Sequence, residues 1–224
     1  MDLTNLKNIV LRGRSIRLEP LEESHVEALA EASAADPSLY QWTPVPQGRE
    51  AAAKYVATAL EWRAAGTAIP FAIIRARDGV VIGSTRLYDL EEWDWPAGHP
   101  RYGRGLPDVS QIGYTWFARS AIQTGANTEA KFLMLRHSFE AWDVLRVCLH
   151  TDSRNARSRV AIERIGGKFE GIIRAHKLGS DFAVRDSVRY SIIASEWPAV
   201  KQRLISLMDR SPERLQSGRA SVQV

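Results

Sequence analysis

Apolar and polar residues alternate through SIRLEPL (15–21), the period of a half-buried strand. Two segments with helical periodicity follow, 22–34 and 49–65. Between them DPSLYQWTPVPQG holds three prolines, which bar regular structure. PFAIIRA (70–76) and VVIGSTRLYDL (80–90) predict two strands joined by a two-residue turn at Asp78 and Gly79. VSQIGYTWFA (109–118) predicts a further strand. After QTGANTEAKFLML (123–135), Ala130, Leu133, Met134, His137 and Ala141 recur at helical spacing. LRVCLHT (145–151) is a short apolar run that suits a strand buried on both faces.

NARSRVAIERIGG (155–167) predicts a helix with Asn155 at its N-cap, Ile162 and Ile165 inward and two glycines at its end. KFEGIIR (168–174) and VRDSVRYSII (184–193) predict two more strands, with a loop between them. Ser195 caps a last helix that carries Pro198 in its first turn and runs to about Met208. The order is mixed α/β in one domain, 12–208. An N-terminal extension (1–11) precedes it, and a polar tail (209–224) is expected to be disordered.

The length of 224 residues suits one domain with a well-sized core. A net charge of +4 and a pI near 9.4 fall short of a nucleic-acid footprint. They suit an anionic ligand such as a phosphorylated cofactor, or serve solubility alone. The one cysteine, Cys148, excludes an internal disulfide and reads as a small core residue. With no basic, apolar leader and no run long enough to span a bilayer, a cytoplasmic protein without membrane contact is expected. One segment stands apart, EEWDWPAGHPRYGRGLPD (91–108). Loops of this length inside a compact domain are uncommon and often functional.

The order of elements, with TDSRNARSRVAIERIG, FEGIIRAH, RDSVRYSI and EWPAVKQRL in sequence, resembles the GNAT superfamily of acyl-CoA-dependent N-acyltransferases. The branch it resembles most contains the ribosomal-protein N-terminal acetyltransferases. The likeness covers roughly 12–208. It implies a single-domain, splayed, mostly antiparallel sheet flanked by helices, with acetyl-CoA as co-substrate in a V-shaped gap and no metal. It implies that backbone groups of Trp116, Phe117 and Ala118 hold the pantetheine arm as an added strand would. Gln123, Thr124, Gly125, Ala126, Asn127 and Thr128 would then cradle the pyrophosphate at a helix N-terminus. A plain helix start with Asn127 as N-cap is the alternative. This chain departs from the family loop: Gln123 stands only two residues before Gly125, and Asn127 occupies the last small position.

Acyl transfer from a thioester needs an amine freed of its proton, donors for the oxyanion and a proton for the thiolate. Asn155 and Ser158 share one helix face, and the resemblance places the Ser158 hydroxyl beside the thiol; it could equally solvate the first turn. Many relatives carry a glutamate where this chain has Gln111, and an amide takes no proton. Asp108 and His176 are the candidate bases. For the acceptor, Trp42, Trp93, Trp95, Tyr102, Arg104, Gln111 and Arg174 are the candidates, although the loop aromatics could simply seal the loop against its own domain. The implied activity is transfer of an acetyl or acyl group to a primary amine of a small molecule or peptide by direct attack in a ternary complex. Two alternatives keep the fold: a transferase using an aminoacyl- or acyl-tRNA donor, and a non-catalytic acyl-CoA-binding module. A monomer or a homodimer fits either way.

Overall fold

A computed structural model describes residues 9–210. Eight strands form one sheet: β1 (Leu11–Arg12), β2 (Ile16–Pro20), β3 (Ala68–Arg75), β4 (Val81–Glu91), β5 (Val109–Phe117), β6 (Arg146–Asp152), β7 (Lys168–Leu178) and β8 (Val184–Ile193). Their spatial order is β1-β2-β3-β4-β5-β6-β8-β7. Neighbours are antiparallel except β5 and β6, which run parallel. One face is covered by α1 (Val26–Ala34) and α2 (Gly48–Ala64), the other by α3 (Ala126–Arg136), α4 (Ala156–Arg164) and α5 (Trp197–Asp209). The mixed sheet between helical layers matches the expected architecture.

Each helix lies where its apolar face finds a partner. Ala52, Val56 and Ala59 line the buried stripe of α2, and Val56 and Ala59 join Leu21, Leu29, Tyr40 and Trp116 in the smaller core. The central helix α3 is buried on most sides, with Ala130, Leu133 and Met134 in the larger core. Its Glu129 is buried too. The carboxylate accepts from the backbone amides of Arg14 and Ser15 and from the Ser15 hydroxyl, tying the β1–β2 turn to α3. Strand β1 therefore begins inside the segment read as an extension, with Leu11 in the core. The tail beyond residue 210 lies outside the described residues.

Several local expectations change in the structure. The β3–β4 connection is longer than two residues: the Arg75 amide donates to the Val80 carbonyl, and the Gly79 amide closes back to Arg75. The Asp78 carboxylate holds this turn by accepting from Arg75 and the Val80 amide. Helix α1 starts only at Val26, after a 3-10 turn at Glu23–His25. The helix after Gly125 widens into a π turn at His137–Ala141, so Ala141 turns to solvent. Ser195 does not cap α5. Instead Glu196 accepts from the Ile193 amide and closes a preceding 3-10 turn. Strand β7 runs past residue 174 to Leu178, which puts His176 on a strand instead of in a loop.

The sheet parts at its middle. Pairing of β5 with β6 covers Val109–Ile112 against Arg146–Leu149 and goes no further. Just beyond, the register against β4 shifts between Ser84 and Arg86, so Tyr114 and Thr115 both oppose Thr85. This is a β-bulge, with Tyr114 at φ 51°, and bulges bend the strand that carries them. At its end the Trp116 carbonyl leans over Gly83, where an added Cβ would sit 2.1 Å from the oxygen. The clash would be backbone against backbone at a φ of 153°. Gly83→Ala is therefore expected to destabilise the fold by about 2–3 kcal/mol, read from the urea midpoint at unchanged slope.

Candidate active site

The parted strands open a cavity of about 1100 Å³. Its walls come from β5 and β6, the first turns of α3 and α4, the 38–44 loop and the tip of the β7–β8 hairpin. Gln123, Gly125, Asn127 and Thr128 line it, with Trp42, Trp116, Phe117, Asn155 and Ser158. Thr124, Ala126 and Ala118 sit behind this lining. Asp108, Gln111, Arg174 and His176 do not line it, nor do the loop residues Trp93, Trp95, Tyr102 and Arg104.

On the α3 side the cavity wall is cationic. Gly125 holds the N-cap position with φ 89°, a left-handed conformation that glycine adopts freely; it has no side chain to cap the helix, and the Ala126 amide donates to Thr124 Oγ1 at 3.4 Å. Asn127 is thus inside the first turn, not at the N-cap. Gln123 is also left-handed, at φ 64°. Around this turn stand Lys131, Arg157, Arg164 and Arg210. Arg164 donates to Thr128 Oγ1 at 2.9 Å. Lys131 is buried and donates to Thr115 Oγ1 at 2.7 Å, and burial lowers its pKa to about 7. The helix dipole and the arginines Arg157, Arg164 and Arg210 make this part of the cavity electropositive.

Opposite, Asn155 caps α4 by accepting from the Ser158 amide at 3.0 Å, which leaves the half-buried Ser158 hydroxyl on the cavity wall. Next to the bulge, two of the pantetheine-strand groups are already engaged. The Phe117 carbonyl accepts from the Tyr40 hydroxyl at 3.1 Å, and the Ala118 amide donates to the Ile82 carbonyl at 2.8 Å. The stretch of β5 without a β6 partner thus begins at Gly113.

Asp108 is buried, and three donors already hold its carboxylate in place. Its carboxylate accepts from the Trp93 amide (2.9 Å), Trp95 Nε1 (2.8 Å) and Arg101 (3.0 Å). Burial would raise its pKa, but these three donors together keep it below the ordinary value. The residue anchors the 91–108 loop. Arg104 is held by Asp143 and the Trp142 carbonyl, and Trp95 stacks on His99 at 4.1 Å. The loop is thus folded against its own domain. Tyr102 and Trp93 are exposed, and Arg174 is an exposed strand residue.

Gln111 is buried and donates to the Tyr88 hydroxyl, so Tyr88, which does line the cavity, keeps its own proton to donate. Burial raises the Tyr88 pKa far above the usual phenol value. Beside it, where β6 parts from β5, lies His150, which sequence reasoning passed over. Its Nε2 is buried with no partner, and burial, then Arg189, lowers its pKa to about 4. His176 packs edge-on against it at 5.7 Å, behind the cavity wall. The roof is closed by Arg154, which lies over Trp42 at 4.2 Å and pairs with Asp152 and Asp181.

A gap between parallel strands beside a helix N-terminus is what the sequence resemblance implied, and comparison with known proteins places the fold. The acetyltransferase (GNAT) domain model matches residues 15–168. The chain belongs to the GNAT acetyltransferase family. A GCN5-related N-acetyltransferase from Brucella melitensis superposes with a TM-score of 0.77 at 27% identity, over 92% of this chain and 87% of that one. A candidate acetyltransferase from T. thermophilus is 31% identical, with a TM-score of 0.70 over 88% and 95% of the two chains. Mycobacterium smegmatis RimJ, solved with CoA-disulfide, shares the fold at 23% identity and TM-score 0.70, covering 88% of this chain and 90% of that one. No curated protein matches the sequence.

In this acetyltransferase the buried Lys131 links stability to pH. Its folded pKa, about 7, lies below the ordinary 10.5, so the unfolded chain binds the extra proton between those values. The cost of burying it is complete below pH 7 and fades as pH rises toward 10.5. Lys131→Met is expected to raise the melting temperature by several degrees at about pH 6–7, with the gain shrinking at about pH 9–10, measured by calorimetry of both proteins across that range.

Proposed function

We propose that the enzyme moves an acetyl group from acetyl-CoA to a primary amine by direct attack within a ternary complex. The observation that carries this is the single cavity wall that joins the start of α3 to the β5–β6 parting and then to Ser158. The diphosphate lies against the amides of 125–128 and the cations Arg157, Arg164 and Lys131. The pantetheine arm follows the unpartnered edge of β5 from Trp116 back to Gly113, where strand-like backbone bonding is open to it. Ser158 donates to the leaving thiolate, oriented by its capped helix turn. The acceptor enters from the α1–α2 side, between the 38–44 loop and the β7–β8 hairpin, and meets Trp42, Tyr88 and Tyr114.

For the amine proton, His150 replaces Asp108 and His176 as the candidate acceptor. It is uncharged at neutral pH, lines the cavity and carries an unpartnered nitrogen. The likeness of the RimJ fold, together with its CoA-disulfide ligand, supports CoA as donor over an acyl-tRNA. The acceptor is a small-molecule or peptide amine. The buried, unpaired Cys148 and the lack of a membrane-length apolar helix among the described residues support a cytoplasmic enzyme.

Two substitutions test donor placement and chemistry separately. Asn127→Asp adds only a charge at the cradle and is expected to weaken acetyl-CoA binding about tenfold by calorimetry, with the melting temperature kept. Ser158→Ala is expected to lower kcat about tenfold while the acetyl-CoA KM changes by less than about twofold, read from thiol release. An equal fall in kcat and in donor affinity would instead make Ser158 a binding residue.

A further inference from the structure

The acceptor half of the cavity has an electrostatic character that the proposed reaction does not require. Lys177 and Arg185 are directly paired across the β7–β8 hairpin, and both line the cavity. Arg185 uses Nε to donate to Ser187 at 2.9 Å, and neither cation forms an ion pair among the described residues. Two carboxylates are near enough to be felt. Asp152 is already held by Arg154, and Asp89 lies beyond ion-pair distance of Lys177. His150, Tyr88 and Tyr114 complete this part of the wall. Burial holds both cations below their ordinary pKa, and in Lys177 the neighbouring Arg185 lowers it further. Two like charges set side by side, an exposed Lys177 and a half-buried Arg185 with neither in an ion pair, repel each other in the empty protein. A negatively charged group bound between them removes that repulsion.

We propose that Lys177 and Arg185 bind an anionic group on the acceptor, so that the substrate class is primary amines bearing a carboxylate or a phosphate. This rests on the acetyl-CoA reading of the same cavity. An amine without the anion leaves the two cations facing each other, and so binds poorly. Discrimination therefore comes from the hairpin, while the cradle at α3 serves the donor alone. Lys177 and Arg185 are binding residues that touch the acceptor and take no part in proton transfer.

The test uses two matched pairs of amines: β-alanine against β-alaninamide for a carboxylate, and phosphoethanolamine against ethanolamine for a phosphate. Each is assayed for thiol release at saturating acetyl-CoA and, separately, for the shift in melting temperature of the CoA-bound protein. The anionic member of at least one pair is expected to exceed its neutral partner by about tenfold in kcat/KM and to give the larger thermal shift. The pair that responds identifies the anion. In Lys177→Gln and Arg185→Gln the preference is expected to fall below about threefold, through KM and not kcat, with the acetyl-CoA KM unchanged. Lys177→Glu is expected to reverse it. Equal thermal shifts within both pairs, or a preference that survives in the variants, would overturn the inference. Loss of turnover with every amine, with the anion-dependent shift retained, would count against the transferase reading and leave the anion site standing.

Discussion

Everything in this protein depends on the point where two parallel strands stop pairing. Up to Ile112 and Leu149 the sheet is continuous. Beyond them, backbone groups of β5 lack a strand neighbour, and a buried polar backbone without partners is costly. The bulge at Tyr114 bends β5 away, Gly83 lets the Trp116 carbonyl come close on the other side, and the space opened is a slot for an extended ligand. The pantetheine arm we propose there, with amide groups of its own, answers the deficit. The catalytic geometry is thus a consequence of a fault in the sheet, kept in place by packing on both faces.

Around that slot the charges are divided by function. The α3 side collects fixed positive ends: the helix N-terminus, Arg157 and Arg164, with Lys131 held near neutrality by burial. The hairpin side carries Lys177 and Arg185. Between them lie groups that are neutral at physiological pH, His150, Tyr88 and Ser158, which suits a step in which a proton leaves an amine and another reaches a thiolate. Negative side chains are held away by pairing, Asp108 under the 91–108 loop and Asp152 under Arg154. The aromatic loop is thus folded against its own domain, and the acceptor role we propose falls to the β7–β8 hairpin.

Much of this was legible in the residues themselves. Alternation marked β2, and the Asn155 cap and the paired glycines bounded α4, because each is a local matter of dihedral preference and period. Local signals failed where longer-range partners intervened. His176 was placed in a loop because the strand signal of β7 fades after Arg174; the pairing of Lys177 with Arg185 carries the strand on. Ser195 looked like a cap until Glu196 reached the Ile193 amide.

What the chain determined alone was the order of strands and helices, their buried faces and the dihedral freedom at Gly125, since these follow from side-chain size, polarity and backbone sterics over a few residues. The tertiary structure decided which titratable groups are free. Asp108 is held by donors brought onto it by the folded 91–108 loop, while His150 and Tyr88, distant in sequence, both line the one cavity. Freedom to bind or transfer a proton depends on what else lies within hydrogen-bond reach, and that is a property of the packed chain.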